Sequence, residues 1–549
     1  MAQEFKLKDV TSLQMKNGEK KEAEVEGVEG GKVLLLKVQD QVHATSPNCT
    51  HYGAPLVKGV LTPEGRLTCP WHGACFKVST GDVEDAPALD PIDKYEVIEK
   101  DGAVYVKTTE EALKAKRRHL NIKCSSVSDD KVLVIGGGSG TLGAIEGLRG
   151  GGYTGKITVI SKEGYQPIDR TKLSKALLAD ISKLAWRQKD FYKDGSIDII
   201  EDEAKSVDFS GKKVSTKSGK EYEYTKLVLA TGGTPRWLPV EGLKGDLGNV
   251  FLLRTLPDVQ NILKAVGDNG KKIVVIGSSF IGMEVGNCLA GMKNDVTIVG
   301  MEEVPLERVM GKKVGAIFQG LLEKNGVKFK LSAGVDKATP SKADASKVGA
   351  VQLKDGTVLE ADLVIEGVGV APATEYLKDN SSITLLKDGS LKTDESFAVE
   401  GLSDVYAIGD IATYPYHGPG GNGAPVRIEH WNVAQNAGRS VANTINNPGS
   451  RPKPFIPVFW SALGSQLRYC GNTMASGYDD VVVQGELEKP SFVAYYTKGE
   501  TVVAVASMMK DPYMTQAAEL MRRSKMPSKS ELQKGVDILE INLPSEVKI

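Results

Sequence analysis

Long apolar runs are missing from this chain: no stretch of its 549 residues approaches the roughly 20 that a membrane-spanning helix needs. Excess charge is missing too. The 69 lysines and arginines balance 70 aspartates and glutamates, for a net charge of −1, so nothing global points to nucleic acid or an anionic membrane surface. Cysteine is scarce. Six in a chain of this length do not make a disulfide framework, which points to a reducing, cytoplasmic compartment. The opening "MAQEFKLKDV" reads as neither a secretory signal nor a transit peptide, and the closing "EVKI" as no targeting signal. Histidine is equally sparse, at six, and this scarcity turns out to be informative.

Four of those twelve cysteines and histidines fall in one region, as Cys49-x-His51 and Cys69-x-x-His72, each pair set among glycines and prolines. Two chemistries compete for such a set. Zinc accepts two Cys and two His, but zinc fingers usually pair Cys with Cys and His with His. Here each knuckle supplies one of each, with 17 residues between His51 and Cys69. That mixed pairing suits a [2Fe–2S] centre in which two thiolates hold one iron and two imidazoles the other. The run "CTHYGAPL…CPWHGACF" closely resembles the Rieske family. The resemblance implies that Cys49, His51, Cys69 and His72 are the metal ligands. Rieske proteins of high potential carry a bracing cysteine in each knuckle and Ser and Tyr hydroxyls near the sulfurs. This chain has Ala54, Trp71, Ala74 and Phe76 instead, so the resemblance implies the low-potential, ferredoxin-like type. The remaining histidines, His43, His119, His417 and His430, include no close pair beside a carboxylate. A self-contained Rieske oxygenase, which needs a mononuclear iron site, is thereby excluded.

Glycine is plentiful, and two runs use it in the same way. "DKVLVIGGGSGTLGAIEGLRG" (130–150) and "KKIVVIGSSFIGMEVGNCLAG" (271–291) each read as a buried strand, a glycine turn and a helix. In the first, Gly136 ends the strand and Gly138 lets the backbone approach a pyrophosphate, with Gly137, Ser139 and Gly140 completing the turn at a helix N-terminus. Thr141 stands where the third glycine of the dinucleotide fingerprint falls. In the second, Gly277 and Gly282 hold and Ser279 replaces the middle glycine. The next strand ends at Gly300 rather than at the acidic residue that would bond an adenosine ribose, and Glu302 and Glu303 just beyond it, with no arginine cluster following, would repel a 2′-phosphate, so NADH is the expected donor.

Three further segments, "YQPIDRTKLSK" (165–175), "LVLATGGTPRWLPVEG" (227–242) and "DVYAIGDIATYP" (404–415), resemble in order and spacing the flavoprotein reductases with two dinucleotide-binding domains. No Cys-x-x-Cys or Cys-x₄-Cys pair is present, which sets the disulfide reductases aside. "DRTKLSK" and "RIEHWNVAQNAG" (427–438) instead resemble the ferredoxin-reductase branch, which includes apoptosis-inducing factor. The resemblance implies FAD and NADH or NADPH as cofactors. It assigns Ala230, Thr231, Gly232 and Asp410 to FAD, brings Arg170, Lys175, Lys205, Glu429 and Trp460 to the flavin side, and sets Trp431 near the nicotinamide. Gly277, Ser279, Gly282, Glu284, Glu302 and Gly369 go to the nicotinamide nucleotide. Lys175, Glu284 and Trp431 carry the catalytic roles, with Lys175 pairing Glu284 beside the flavin.

The chain as a whole therefore resembles the apoptosis-inducing-factor-like flavoproteins with an N-terminal Rieske domain. The expected fold is multidomain: an all-β Rieske domain (1–110), a linker (111–129), a Rossmann-like α/β FAD domain (130–250 and 372–448), an inserted NAD(P) domain (251–371) and a small α+β C-terminal domain (449–549). The expected function is an NAD(P)H-dependent oxidoreductase that passes electrons through FAD to its own cluster and on to an unnamed acceptor, protein or small molecule. The linker is expected to act as a tether between cluster and flavin domains. A redox-sensing or cell-death signalling flavoprotein with slow turnover is the second reading. A homodimer stays open; no nucleic-acid partner and no membrane span are expected.

Overall fold

The structure is a computed structural model and describes residues 2–124 and 128–545. The N-terminal domain is all β. A six-stranded antiparallel sheet, Gln3–Lys6 through Ala103–Thr108, packs on a four-stranded one made of Val60–Leu61, Arg66–Thr68, Cys75–Lys77 and Val83–Asp85. Inward residues such as Val33, Leu35, Val104 and Val106 close the core of the larger sheet. The smaller sheet presents the two Cys/His loops at its end, over a floor of Leu34, Leu36, Leu56, Leu67 and Phe76.

Two α/β domains follow. The first has a five-stranded parallel sheet in the order Ile197–Glu201, Lys156–Ser161, Lys131–Ile135, Lys226–Leu229, Val405–Ala407. Its strands are unbroken apolar runs because helices and smaller sheets cover both faces. The second repeats the plan with Val250–Leu252, Leu363–Glu366, Lys272–Ile276, Asp295–Val299 and Lys328–Lys330. It is inserted between the strand Lys226–Leu229 and its neighbour Val405–Ala407, and the short antiparallel pair Gly233–Pro235 with Val370–Pro372 joins the two crossings of the chain. A five-stranded antiparallel sheet backed by the helix Tyr513–Arg522 closes the chain.

The segment read as a tether differs from expectation. Thr109 caps a helix, Glu110–Ala115, whose Leu113 is buried in the core of the β domain. Beyond it, Arg117 pairs with Asp90 and Arg118 with Asp82, and Ile122 is buried. Apolar side chains at Leu113 and Ile122, too few for a periodic signal, fasten what charge alone makes look free. Residues 125–127 of that segment, and 546–549, lie outside the described residues.

Candidate functional site

The two Cys/His loops are built alike. Cys49 N–H donates to Ala54 O at 2.8 Å and Gly53 N–H to Cys49 O at 2.9 Å; Cys69 N–H donates to Ala74 O at 2.8 Å and Gly73 N–H to Cys69 O at 3.3 Å. Gly53 and Gly73 take positive φ, 78° and 73°, so the repeated glycine is a backbone requirement. These paired loops set His51 Nδ1 and His72 Nδ1 3.1 Å apart. The buried Cys49 and Cys69 thiols act on one another, which holds Cys49 up and, against burial, Cys69 down. Among the described residues no three of His, Cys, Asp or Glu converge on one point. A [2Fe–2S] centre takes one thiolate pair and one imidazole pair on different irons, and the paired loops supply one Cys and one His each. The donor set fits the cluster.

Its histidine edge is covered. His51 and His72 are 9% and 6% exposed. His72 lies 4.3 Å, centroid to centroid, from Trp460; His51 lies 5.8 Å from Trp460, 6.4 Å from Trp431 with the rings 15° from parallel, and 5.6 Å from Trp186. Trp186 is 5.3 Å from Trp431. Tyr52 stacks on His51 at 3.8 Å and donates its hydroxyl to Asp169 of the first α/β domain. The family resemblance implies that these imidazoles, on the open side of the cluster, face the flavin domain, and reductase side chains do lie against that face. Burial lowers the pKa values of the His51 and His430 rings to about 3.

Beside this aromatic box, Lys175 Nζ sits 3.0 Å from Glu284 Oε1, as the sequence pairing expects. The Ser461 hydroxyl donates to that same oxygen and the Ser174 hydroxyl to Oε2, each at 2.5 Å. Lys175 comes from the short helix Thr171–Ala176, Glu284 from Phe280–Gly291 and Ser461 from the strand that also carries Trp460, so three domains meet at one carboxylate.

Both glycine turns fit nucleotides. The helix Ser139–Gly150 has Gly138 as its N-cap and no side chain on its first amides, and a Cβ at Gly138 would meet nothing within 4 Å. Those free amides and that open space suit a pyrophosphate. Gly136, at φ 112°, lies so close to Ala230 O that a Cβ would come within 2.2 Å. Thr141, the departure from the fingerprint, donates its hydroxyl to Gly136 O at 2.6 Å and so ties the turn. The close helix approach falls instead to Gly143 and Gly438, where a Cβ would sit 2.1 Å from Gln435 O and from Gly140 O. In the second turn, Ser279 is likewise no side-chain cap; its hydroxyl donates to Gly367 O at 3.1 Å, leaving the amides free.

The other expected residues take these places. Thr231 Oγ1 donates to Ala373 O at 2.7 Å, beside Gly232. Asp410 is paired with Arg254 at 2.8 Å, and Arg170 bonds Arg254 O at 2.9 Å and pairs with Glu163. Glu429 pairs with Arg427 at 2.6 Å. Gly369, at φ 97°, lies at the return crossing, where its carbonyl accepts from Arg236 N–H at 3.0 Å. Glu302 accepts from Ser278 Oγ at 3.2 Å in an open cleft that Arg308 also lines. Lys205 is not brought to any of these groups: it is exposed on the strand Ala204–Asp208 of a separate three-stranded sheet. Trp186, Tyr52, Asp169 and His430 were missed, because a lone aromatic in "LAWRQ" or next to a ligand carries no spacing signal. Rarity was the one available hint: the chain has five tryptophans, and four of them, Trp71, Trp186, Trp431 and Trp460, lie with ring centroids within 6.4 Å of His51 or His72.

Comparison with known proteins agrees with this arrangement. The family described as pyridine nucleotide-disulphide oxidoreductase matches residues 130–438. The chain belongs to that family. The Rieske [2Fe-2S] domain matches residues 5–96 and the reductase C-terminal family residues 458–539. Apoptosis-inducing factor 3 of Homo sapiens is 38% identical over 528 residues, covering 94% of this chain and 84% of that protein. Rubredoxin-NAD(+) reductase of Ectopseudomonas oleovorans is 32% identical over 388 residues, 69% of this chain and 95% of the relative. Among solved structures, a covalent putidaredoxin reductase–putidaredoxin complex superimposes with a TM-score of 0.69 at 29% identity, over 75% of this chain and 98% of that one. The chain is thus an apoptosis-inducing-factor-like flavoprotein with an N-terminal Rieske domain, an FAD- and NAD(P)H-dependent oxidoreductase that also holds a [2Fe–2S] cluster. No helix among the described residues is long and apolar enough to cross a membrane.

Proposed function

We propose that this chain sends electrons from NAD(P)H through FAD to its own Rieske cluster, and from there singly to an external acceptor. The observation that carries the reading is the aromatic box: His51 lies against Trp431 and Trp460 and His72 against Trp460, and the family pattern brings Trp431 near the nicotinamide and Trp460 to the flavin. FAD, when bound, takes a hydride's two electrons and releases them one at a time, which a one-electron cluster requires. The chain supplies position and charge. The free amides after Gly138 and those after Ser279 receive pyrophosphates, and the family pattern gives Asp410, paired with Arg254, to the flavin's ribityl chain. Lys175, held by Glu284, keeps a cation beside the reacting edge, where it favours an anionic reduced ring. Trp431, Trp460 and Trp186 exclude water from the path between flavin side and cluster.

Glu302 in the ribose cleft favours NADH over NADPH, since a 2′-phosphate would meet its carboxylate. The missing hydroxyls at Ala74 and Phe76 favour a cluster near the roughly −150 mV end of the Rieske range. The names of the relatives, rubredoxin and putidaredoxin reductases, speak of separate electron-carrier proteins; here the carrier is part of the chain. A cytoplasmic, reducing compartment suits the free thiols, and a homodimer is the assembly to look for. The test is Cys69→Ser or His72→Ala. Each should lose the cluster yet still show flavin bleaching by NAD(P)H, and should lose reduction of a one-electron acceptor such as cytochrome c. Undiminished acceptor reduction would remove the cluster from the path.

A further inference from the structure

The Rieske domain touches the reductase through more than its histidine edge. The strand Arg66–Thr68, which leads directly into Cys69, lies against the helix Tyr513–Arg522 of the C-terminal domain. Arg66, 7% exposed, pairs with Glu84 at 2.5 Å and Asp85 at 2.7 Å in its own domain, and reaches Glu519 across the boundary at 3.5 Å. Thr68 donates its hydroxyl to the same Glu519 oxygen at 3.2 Å. The other Glu519 oxygen pairs with Arg523, whose fully buried guanidinium crosses back to Glu64 of the Rieske domain. Thr515, one helical turn before Glu519, donates to the Cys69 carbonyl at 3.1 Å. Behind this network, Lys453 pairs with Asp85 at 2.7 Å, Arg187 with Asp90 at 2.7 Å, and Asn436 accepts from Ala86 N–H at 2.9 Å.

Such a boundary is unlike that of a carrier that must swing or collide. Inter-domain contacts within a chain are by default mobile, being small and polar. Here Arg66, Glu519 and Arg523 are buried at the boundary, so that parting the domains would take Glu519 from Arg66 and Thr68, Arg523 from Glu64, and the Cys69 carbonyl from Thr515. Removing one partner of a buried charge pair is costly because the other is left uncompensated. The bonds also land on the ligand-bearing strand itself and on the carbonyl of a ligand residue, so they set where the cluster stands relative to Trp431 and Trp460.

We infer that the Rieske domain of this chain is permanently docked, with Glu519 as the positioning residue of a buried charged latch that fixes the cluster against the tryptophan box. The proposal rests on the electron route proposed above. It replaces the tethered encounter expected from sequence with transfer inside one rigid body. It also closes the histidine edge to any outside carrier, so an acceptor must take electrons from another side of the cluster.

The test is single-turnover reduction of the full-length holoprotein by one equivalent of NADH without oxygen, following flavin bleaching and the cluster's reduced signal separately. In the wild type, the cluster's reduction rate should be unchanged by added glycerol or salt. A rate that falls in proportion to viscosity would overturn the latch while leaving the route intact; a cluster that never reduces would overturn the route itself. In Glu519→Ala, cluster reduction should slow about tenfold or more and become viscosity-dependent, since small misplacements of reacting groups cost large factors. Flavin bleaching and the cluster spectrum should stay as in the wild type. If Glu519→Ala does not fold, Glu64→Gln, which takes only the outer partner from Arg523, should give the same change in smaller measure. Unaltered kinetics in Glu64→Gln and wild-type viscosity dependence together would refute the inference.

Discussion

Replacing Lys175 by Met removes the ammonium 3.0 Å from Glu284 and leaves that carboxylate, 5% exposed, with only the Ser174 and Ser461 hydroxyls. Breaking a buried ion pair from one side costs roughly 3–5 kcal/mol of stability. The two charge-assisted hydroxyl bonds at 2.5 Å remain, so the loss should fall near the lower end, about 3 kcal/mol. Catalysis should suffer separately. Loss of one preorganised electrostatic partner at a reacting centre typically lowers the rate on the order of 100-fold or more, and stopped-flow bleaching of bound FAD by NADH reads this directly. The double variant Lys175→Met with Glu284→Gln separates the two effects. Neutral partners of similar size should restore most of the stability, measured by denaturant unfolding, because no buried charge is left alone. Flavin reduction should stay slow. A double variant as fast as the wild type would show that the pair only holds domains together, and the catalytic reasoning would be wrong.

Glu302→Ala should narrow the preference of NADH over NADPH in kcat/KM by about tenfold, because the carboxylate that would repel a 2′-phosphate is gone; an unchanged ratio would move the discrimination to another residue. Burial raises Glu366 to about 7, with one oxygen unpaired and the other accepting from Leu238 N–H at 2.7 Å. The folded state then binds the extra proton between the ordinary glutamate value and about 7, so stability should fall as pH rises through that window, by on the order of 3 kcal/mol. Glu366→Gln should flatten this slope in melting experiments, and a slope that survives would clear the residue. Arg468 is the direct cross-strand partner of Trp460, on the face turned to His72, and its nearest carboxylate, Asp511, stands at 3.6 Å. Because reduction adds negative charge to the cluster, Arg468→Gln should lower the cluster's midpoint potential in a redox titration; a midpoint that stays or rises would refute that role.

The parts legible in the sequence were those with a spacing. Cys49-x-His51 with Cys69-x-x-His72 and the glycine turns at 136 and 277 each obey a backbone or chemical spacing, whereas the pairing of Lys175 with Glu284 is implied by the family resemblance alone; the structure sets those two 3.0 Å apart. The docking did not show. Its residues, Arg66, Glu519, Arg523, Arg187 and Asp90, are far apart along the chain, and each alone reads as an ordinary solvated charge. Burial turns them into a latch, and burial across domains has no sequence period. The fastened segment after Thr109 was misread as a tether for the same reason, since its anchoring falls on two apolar residues, Leu113 and Ile122. Lys205 shows the converse: a residue carried over from a family pattern without a local motif around it ended on an exposed strand.

The central claim is that NADH electrons reach the chain's own cluster. Anaerobic addition of one equivalent of NADH to the purified holoprotein, followed by freeze-quench electron paramagnetic resonance, tests it most directly. The account predicts that the reduced Rieske signal rises after flavin bleaching, within a single turnover and independently of protein concentration. A flavin that is fully reduced while the cluster stays oxidised, or a cluster signal whose rate scales with protein concentration, would contradict it.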